Sequence, residues 1–135
     1  MPIPRAVITG YGCISSLGNN APETWAGMTE GRNGISPVTP PELGELSISR
    51  AGAVQRDLSK VFEPRLMRQY DRVSLLAILA AMEALAHSGL EITEELSPRA
   101  GSIIGIGNCG WEAVEEGYVR SLLERKRRSK IFAVP

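Results

Sequence analysis

The stretch that decides the fold begins Asp71-Arg-Val-Ser-Leu-Leu-Ala-Ile-Leu-Ala-Ala-Met-Glu-Ala-Leu-Ala-His-Ser-Gly-Leu90 and ends Ser102-Ile-Ile-Gly-Ile-Gly-Asn-Cys-Gly110. Its first part has apolar residues on almost every side, which predicts a helix buried over most of its circumference. Asp71 can cap the start of this helix and Gly89 can end it. The apolar run 102–106 predicts a short strand that is covered on both faces. A buried helix followed by a buried strand predicts an α/β fold.

The remainder of the chain predicts shorter elements of the same fold class. They are a strand at Arg5–Gly10, a helix at Ala21–Met28 with Trp25 and Met28 on its apolar side, an edge strand at Ser49–Val54 and an amphipathic helix at Trp111–Leu123. Three prolines between Ile35 and Leu46 argue against regular structure there. No linker divides the chain, so residues 1–135 are expected to form one domain or part of one.

Composition excludes several classes of function. The formal net charge is zero, which does not indicate nucleic acid or a membrane surface as a partner. Cys13, Cys109 and the lone His87 have no spacing typical of a zinc site or a disulfide framework. No apolar run reaches the roughly 18–20 residues of a membrane span, and a reducing, cytoplasmic setting is expected.

Glycine-rich turns leave a nucleotide site as one alternative. The run Gly105-Ile-Gly-Asn-Cys-Gly110 fits Gly-x-Gly-x-x-Gly between a predicted strand and a predicted helix, where backbone N–H groups can approach a pyrophosphate. No second strand ending in an acidic residue follows about twenty positions later, so close packing of helix on sheet is the favoured interpretation. The turn Gly10-Tyr-Gly12 lacks a third glycine, and packing is favoured there too.

Other candidate residues have a structural and a functional interpretation. Cys109 at a helix start could be an activated thiol, but no base is tied to it, so it is expected to be a small packed residue, as is Cys13. His87 is expected to be a hydrogen-bonded structural histidine. The basic run Arg125-Lys-Arg-Arg128 could bind an acidic partner or solvate a helix end, and composition leaves both open.

Several motifs, taken together, resemble one family. They are Ala6-Val-Ile-Thr-Gly-Tyr-Gly12, Gly31-Arg-Asn-Gly-Ile35, Arg68-Gln-Tyr-Asp-Arg72, Gly101-Ser-Ile-Ile-Gly-Ile-Gly107 and Phe132-Ala-Val-Pro135. Their order and spacing are similar to the opening of the elongating β-ketoacyl-acyl carrier protein synthases, and the resemblance covers essentially the whole chain.

The resemblance implies part of a thiolase-like fold, layered α-β-α-β-α, of which this chain would be the incomplete N-terminal half. It implies decarboxylative condensation of an acyl group with malonyl-acyl carrier protein, with no redox cofactor or metal, and a homodimer or a heterodimer with a related synthase. The family's catalytic cysteine and histidines lie further along than residue 135. The chain alone is therefore expected to be an inactive fragment, with no catalytic residue of its own.

Two groups of site residues follow from the resemblance. Basic residues expected to contact the acidic carrier protein are Arg65, Arg68, Arg127 and Arg128. Residues expected to line the acyl pocket are Asn108, Cys109, Phe132 and Ala133.

Asn108 stands where the family usually has an apolar gate, and a buried amide costs free energy unless it is hydrogen-bonded. Cys109 replaces a usual glycine, and Ala133 replaces the second residue of a Phe-Phe pair. These departures favour a specialised relative, such as a polyketide or polyene synthase. They also leave an alternative from another functional class, a non-catalytic chain-length-factor-like subunit that pairs with an active synthase.

Overall fold

The structure is a computed structural model that describes residue 3 and residues 5–37, 49–107 and 110–123. In these ranges the chain forms four α-helices and two short strands. In chain order they are α1 (Ala21–Thr29), β1 (Ser36–Pro37), β2 (Arg50–Ala51), α2 (Pro64–Gln69), α3 (Arg72–Ser88) and α4 (Trp111–Tyr118). Short 3₁₀ turns lie at Leu58–Lys60 and Ser97–Arg99, and α4 continues as a turn of π-helix over Val119–Leu123.

The chain divides into two compact units. The first comprises Met1–Arg56 and Leu79–Gly89, and the second comprises Asp57–Ile78 and Leu90–Pro135. The boundary falls inside α3, so the two ends of this helix belong to different units. The single-domain prediction stays a prediction, and each unit is described by itself below.

In the first unit, β1 and β2 pair antiparallel, with Ser36 opposite Ala51 and Pro37 opposite Arg50. The expected edge strand at 49–54 is therefore present but only two residues long. Pro37 lies in a strand although its segment was expected to be irregular, which a two-residue strand at a sheet edge permits.

Helix α1 packs through small residues. Ala21, Thr24 and Gly27 are its buried positions, whereas Trp25 and Met28 are exposed. The helix therefore does not pack through the predicted apolar side, which carries Trp25 and Met28. The neighbouring backbone comes too close for large side chains: a Cβ added at Gly18 would lie 2.5 Å from the Thr24 nitrogen.

Helix α3 begins and ends where the sequence predicts. Asp71 Oδ1 accepts the N–H of Arg72 at 2.8 Å, and Gly89 takes a left-handed φ of 65° just after the helix. The burial of α3 differs from the prediction of a helix buried over most of its circumference. Leu75 is its buried residue, while Ile78, Met82 and Leu85 are exposed. A helix is buried all round only when elements pack on every face, and the described segments cover part of this one.

Two predicted strands are not formed. Residues 5–10 and 101–106 are neither helix nor strand, and most of their apolar side chains are exposed. A strand needs a hydrogen-bonded neighbour, and the sheet in the described ranges consists of β1 and β2 alone. In the second unit the large buried side chains are Leu58, Phe62 and Leu75, so its described core lies within 57–78.

Candidate functional site

The structure describes two of the eight predicted site residues. Arg65 and Arg68 lie on α2, and both are exposed. The remaining predicted residues lie outside the described ranges, and they are Asn108, Cys109, Arg127, Arg128, Phe132 and Ala133. The carrier-protein and acyl-pocket assignments therefore stay predictions, as does the alternative that rests on Asn108 and Ala133.

Local sequence explains how α2 presents its two arginines. Glu63 precedes the helix with extended backbone, Pro64 occupies its first turn, and Tyr70 ends it in extended backbone. Arg65 and Arg68 are three residues apart, so they share one side of the helix. Within the described ranges neither forms an ion pair, which leaves two positive charges available to an acidic partner.

The described residues around the glycine turn before α4 do not have the arrangement of the nucleotide-loop alternative. Gly110 has a φ of 73°, and its carbonyl accepts the N–H of Val114 at 2.9 Å, which starts α4. The segment before the turn is not a strand, so the strand–turn–helix arrangement of a dinucleotide site is absent from the described residues. Among the described residues, a Cβ added at Gly105 or Gly107 would meet nothing within 4 Å, so the packing interpretation of these two glycines stays a prediction.

The N-terminal glycine turn, by contrast, packs tightly on α3. A Cβ at Gly10 would collide with the Ala84 carbonyl oxygen and lie 2.7 Å from the Ser88 Cβ. One at Gly12 would collide with the Ala80 carbonyl oxygen and lie 2.9 Å from the Ala84 nitrogen. Both positions require glycine because backbone lies against backbone, and the packing interpretation of this turn is confirmed.

Glu83 ties two distant segments of the first unit to α3. Its Oε2 accepts the N–H of Cys13 at 2.9 Å, and its Oε1 accepts the N–H of Ala21 at 2.8 Å. No sequence pattern was assigned to Glu83. The signal was present, because Glu83 is the sole charged residue between Arg72 and His87, and a carboxylate in an apolar helix needs partners.

The start of α1 is a reciprocal cap. Asn20 Oδ1 accepts the N–H of Glu23 at 2.8 Å, and Glu23 accepts from the Asn20 side chain at 2.9 Å and from the Asn19 N–H at 2.8 Å. The hydrogen bond from the Asn19 backbone is the main reason that the pKa of Glu23 lies below its ordinary value, with the Asn20 amide adding to it. Glu23 therefore stays ionised into mildly acidic solution.

His87 lies on α3, and Cys13 belongs to the segment that is hydrogen-bonded to this helix. His87 Nδ1 accepts the N–H of Tyr11 at 3.3 Å, and the two rings lie 4.3 Å apart between centroids. This confirms the expectation of a hydrogen-bonded histidine. Cys13 is a half-buried free thiol.

A small cavity of about 210 Å³ lies in the first unit, lined by Ile14, Asn19, Asn20, Arg56, Leu79 and Glu83. Both carboxylate oxygens of Glu83 are already engaged by backbone N–H groups. The Arg56 Nε is enclosed and has no hydrogen-bond partner within the described residues.

Two further findings concern the described residues only. They contain no group of three or more histidine, cysteine, aspartate or glutamate side chains placed to hold a metal ion. Their helices include none with the length and apolar character needed to cross a membrane.

Comparison with known proteins gives a consistent result. Residues 4–134 match the family model described as "Beta-ketoacyl synthase, N-terminal domain". The chain is 39% identical over 131 residues to "Nodulation protein E" of Rhizobium sp. (strain N33), covering 97% of this chain and 33% of that protein. It is 33% identical over 132 residues to "3-oxoacyl-[acyl-carrier-protein] synthase 2" of Staphylococcus aureus (strain COL), covering 97% of this chain and 32% of that protein. The chain thus spans about a third of the length of these relatives.

Proposed function

Because the chain belongs to the β-ketoacyl synthase family, we propose that it is the N-terminal portion of a condensing enzyme that extends acyl groups on an acyl carrier protein. The observation that carries this proposal is the family match across residues 4–134. Relatives named as a nodulation protein and as a 3-oxoacyl-carrier protein synthase match the same length of chain. The proposed reaction belongs to fatty acid or polyketide biosynthesis.

The proposed chemistry is a decarboxylative Claisen condensation. An acyl group is carried as a thioester on a cysteine, and malonyl-carrier protein loses CO₂. The resulting carbanion attacks the thioester carbonyl, and the cysteine thiolate leaves as the new carbon–carbon bond is complete. The resemblance assigns the cysteine and two histidines of this reaction to positions beyond residue 135, and neither Cys13 nor His87 matches them. The reaction as written needs no cofactor.

The proposed architecture is the layered thiolase-like fold, of which this chain supplies part. Three features of the chain support it. The apolar segments 5–10 and 101–106 lack a strand partner among the described residues, and α3 has apolar side chains exposed on its uncovered side. In the proposed fold these segments are strands of a central sheet and α3 is covered on more faces. A dimer, and a cytoplasmic setting, stay predictions.

The proposed partner is the acyl carrier protein, which the resemblance describes as acidic. Arg65 and Arg68 support it, because they are exposed on one side of α2 and form no ion pair within the described residues. Arg127 and Arg128 are the second predicted contact. Replacing Arg127 and Arg128 by glutamate is expected to weaken carrier-protein binding, and the loss should be larger at low salt than at high salt.

The experiment is a condensation assay on the protein that carries this chain together with the remaining length of its relatives. Acyl-carrier protein and malonyl-carrier protein are supplied, and the release of CO₂ and the 3-oxoacyl product are measured. The expected result is stoichiometric formation of both. A purified protein that binds the carrier but makes product only with a second synthase would favour the chain-length-factor alternative. Absence of both binding and product would overturn the proposal.

A further inference from the structure

The Asn33–Gly34 pair lies in the loop between α1 and β1, and Asn33 is exposed. Asn33 Oδ1 accepts the backbone N–H of Ile35 at 2.9 Å, so the side chain folds back over the Gly34 peptide group. Within the described residues, neither the Asn33 amide nitrogen nor the Gly34 N–H forms a hydrogen bond. The fold therefore keeps these two groups close together and leaves both of them available.

The two groups are the reactants of asparagine deamidation. The Gly34 nitrogen loses its proton to hydroxide and attacks the Asn33 Cγ, which forms a new C–N bond. The bond from Cγ to Nδ2 breaks, and Nδ2 takes up a proton and leaves as ammonia. Water then opens the five-membered imide: cleavage at Cγ gives aspartate, and cleavage at the backbone carbonyl carbon gives isoaspartate. Water is the co-reactant, and glycine hinders the attacking nitrogen least because it has no Cβ.

Asn20, in the same unit, provides a matched comparison. Its Oδ1 accepts the N–H of Glu23 at 2.8 Å, and its Nδ2 donates to Glu23 Oε1 at 2.9 Å. The nitrogen that would attack its side chain belongs to Ala21, and this buried N–H is donated to Glu83 Oε1 at 2.8 Å. Both the amide and the attacking nitrogen are engaged, so deamidation of Asn20 must first break these hydrogen bonds.

We propose that Asn33 is a site of spontaneous deamidation, and that its isoaspartyl product releases Gly34 from the Ser16–Leu17 segment. Gly34 has no spare room there, because an added Cβ would lie 2.5 Å from the Ser16 Oγ and 3.1 Å from the Leu17 Cδ2. An isoaspartyl linkage inserts one more carbon into the backbone beside Gly34, and close-packed contacts do not absorb such a change. Strand β1 begins at Ser36, so the modification acts on the start of the β1–β2 pair.

Peptide mapping by mass spectrometry tests the proposal on the protein that carries this chain, incubated at mildly alkaline pH either folded or in guanidinium chloride. The conversion of amide to acid is followed at each asparagine, and backbone fragmentation distinguishes isoaspartate from aspartate. In the folded protein Asn33 is expected to convert at least about tenfold faster than Asn20, the factor that one hydrogen bond supplies. Unfolding should accelerate Asn20 more than Asn33. Conversion of folded Asn33 no faster than that of Asn20, or equal acceleration of both by unfolding, would overturn the proposal.

Two variants separate the effect of isoaspartate from that of general ageing and of added charge. Asn33→Ser cannot form the imide, so its Tm should be the same before and after incubation, whereas the Tm of wild type should fall as isoaspartate accumulates. Freshly purified Asn33→Asp has the charge of the product without the longer backbone, and its Tm should lie close to that of fresh wild type. An equal fall in wild type and Asn33→Ser, or an unchanged wild-type Tm despite isoaspartate, would overturn the release of Gly34.

Discussion

The Glu83 carboxylate accepts the backbone N–H of Ala21 at 2.8 Å across 62 residues of sequence. Its other oxygen accepts the N–H of Cys13. One side chain on α3 therefore fixes both the glycine turn and the first residue of α1. The large apolar side chains of α1, Trp25 and Met28, are exposed and do not make this attachment.

Replacing Glu83 by glutamine should destabilise the protein by about 1–2 kcal/mol. The amide NH₂ group of glutamine would face a backbone N–H, and because both groups are donors, one of the two hydrogen bonds is lost. Urea denaturation measures the change. The matched control is Glu94→Gln at an exposed position, expected to stay within about 0.5 kcal/mol of wild type. Equal stabilities for the two variants would contradict the role given to Glu83.

Gly12→Ala should cost about 1–3 kcal/mol, because the added methyl group collides with the Ala80 carbonyl oxygen and α3 must move away. Gly101→Ala is the control, since a Cβ there meets nothing within 4 Å. Thermal denaturation should show a lower Tm for the first variant and little change for the second. A Gly12→Ala variant as stable as wild type would mean that the turn does not rest on the helix.

Gly89 ends α3 with a φ of 65°, where an L side chain is strained. Gly89→Ala should therefore destabilise by about 1–2 kcal/mol. Gly89→Asn should be destabilised less than Gly89→Ala, because asparagine tolerates this left-handed conformation better than alanine. Denaturant titrations of both variants measure the order, and the reverse order would argue against this helix end.

The cap at Glu23 predicts a specific acid sensitivity. Hydrogen bonds, first that from the Asn19 backbone, lower the pKa of Glu23 from its ordinary value of 4.5. A carboxyl with a lowered folded-state pKa stabilises the fold above its unfolded-state pKa, and this stabilisation is lost as pH falls through the folded-state value. The Tm difference between wild type and Glu23→Gln should therefore shrink as pH falls from about 6 to 3. A difference that is independent of pH would contradict the cap.

Local features of the fold were predictable from sequence because they depend on neighbouring residues. Asp71 and Gly89 mark the two ends of a helix through backbone conformation and hydrogen bonds within a few positions. The observed α3 agrees with them. The helix at Trp111 was also predicted, although its final turn is π-helical.

Burial was not predictable in the same way, because it depends on which distant segment approaches. Trp25 and Met28 form the predicted apolar side of α1 but are exposed, whereas Thr24 and Gly27 face the Leu17–Gly18 loop because only small residues fit against it. The segments 5–10 and 101–106 have the composition of strands and lack a neighbour among the described residues. The partners of Glu83 lie 62 and 70 positions away, beyond any local pattern.

The most direct test of the account is the affinity of acyl carrier protein for the protein that carries this chain, measured for wild type, Arg65→Glu/Arg68→Glu and Arg99→Glu. Arg99 is an exposed arginine on another element and serves as the matched control. The double variant is expected to bind at least about tenfold more weakly at low salt, with a smaller salt dependence than wild type, while Arg99→Glu binds like wild type. Equal affinities for all three proteins, or an equal loss in the control, would contradict it.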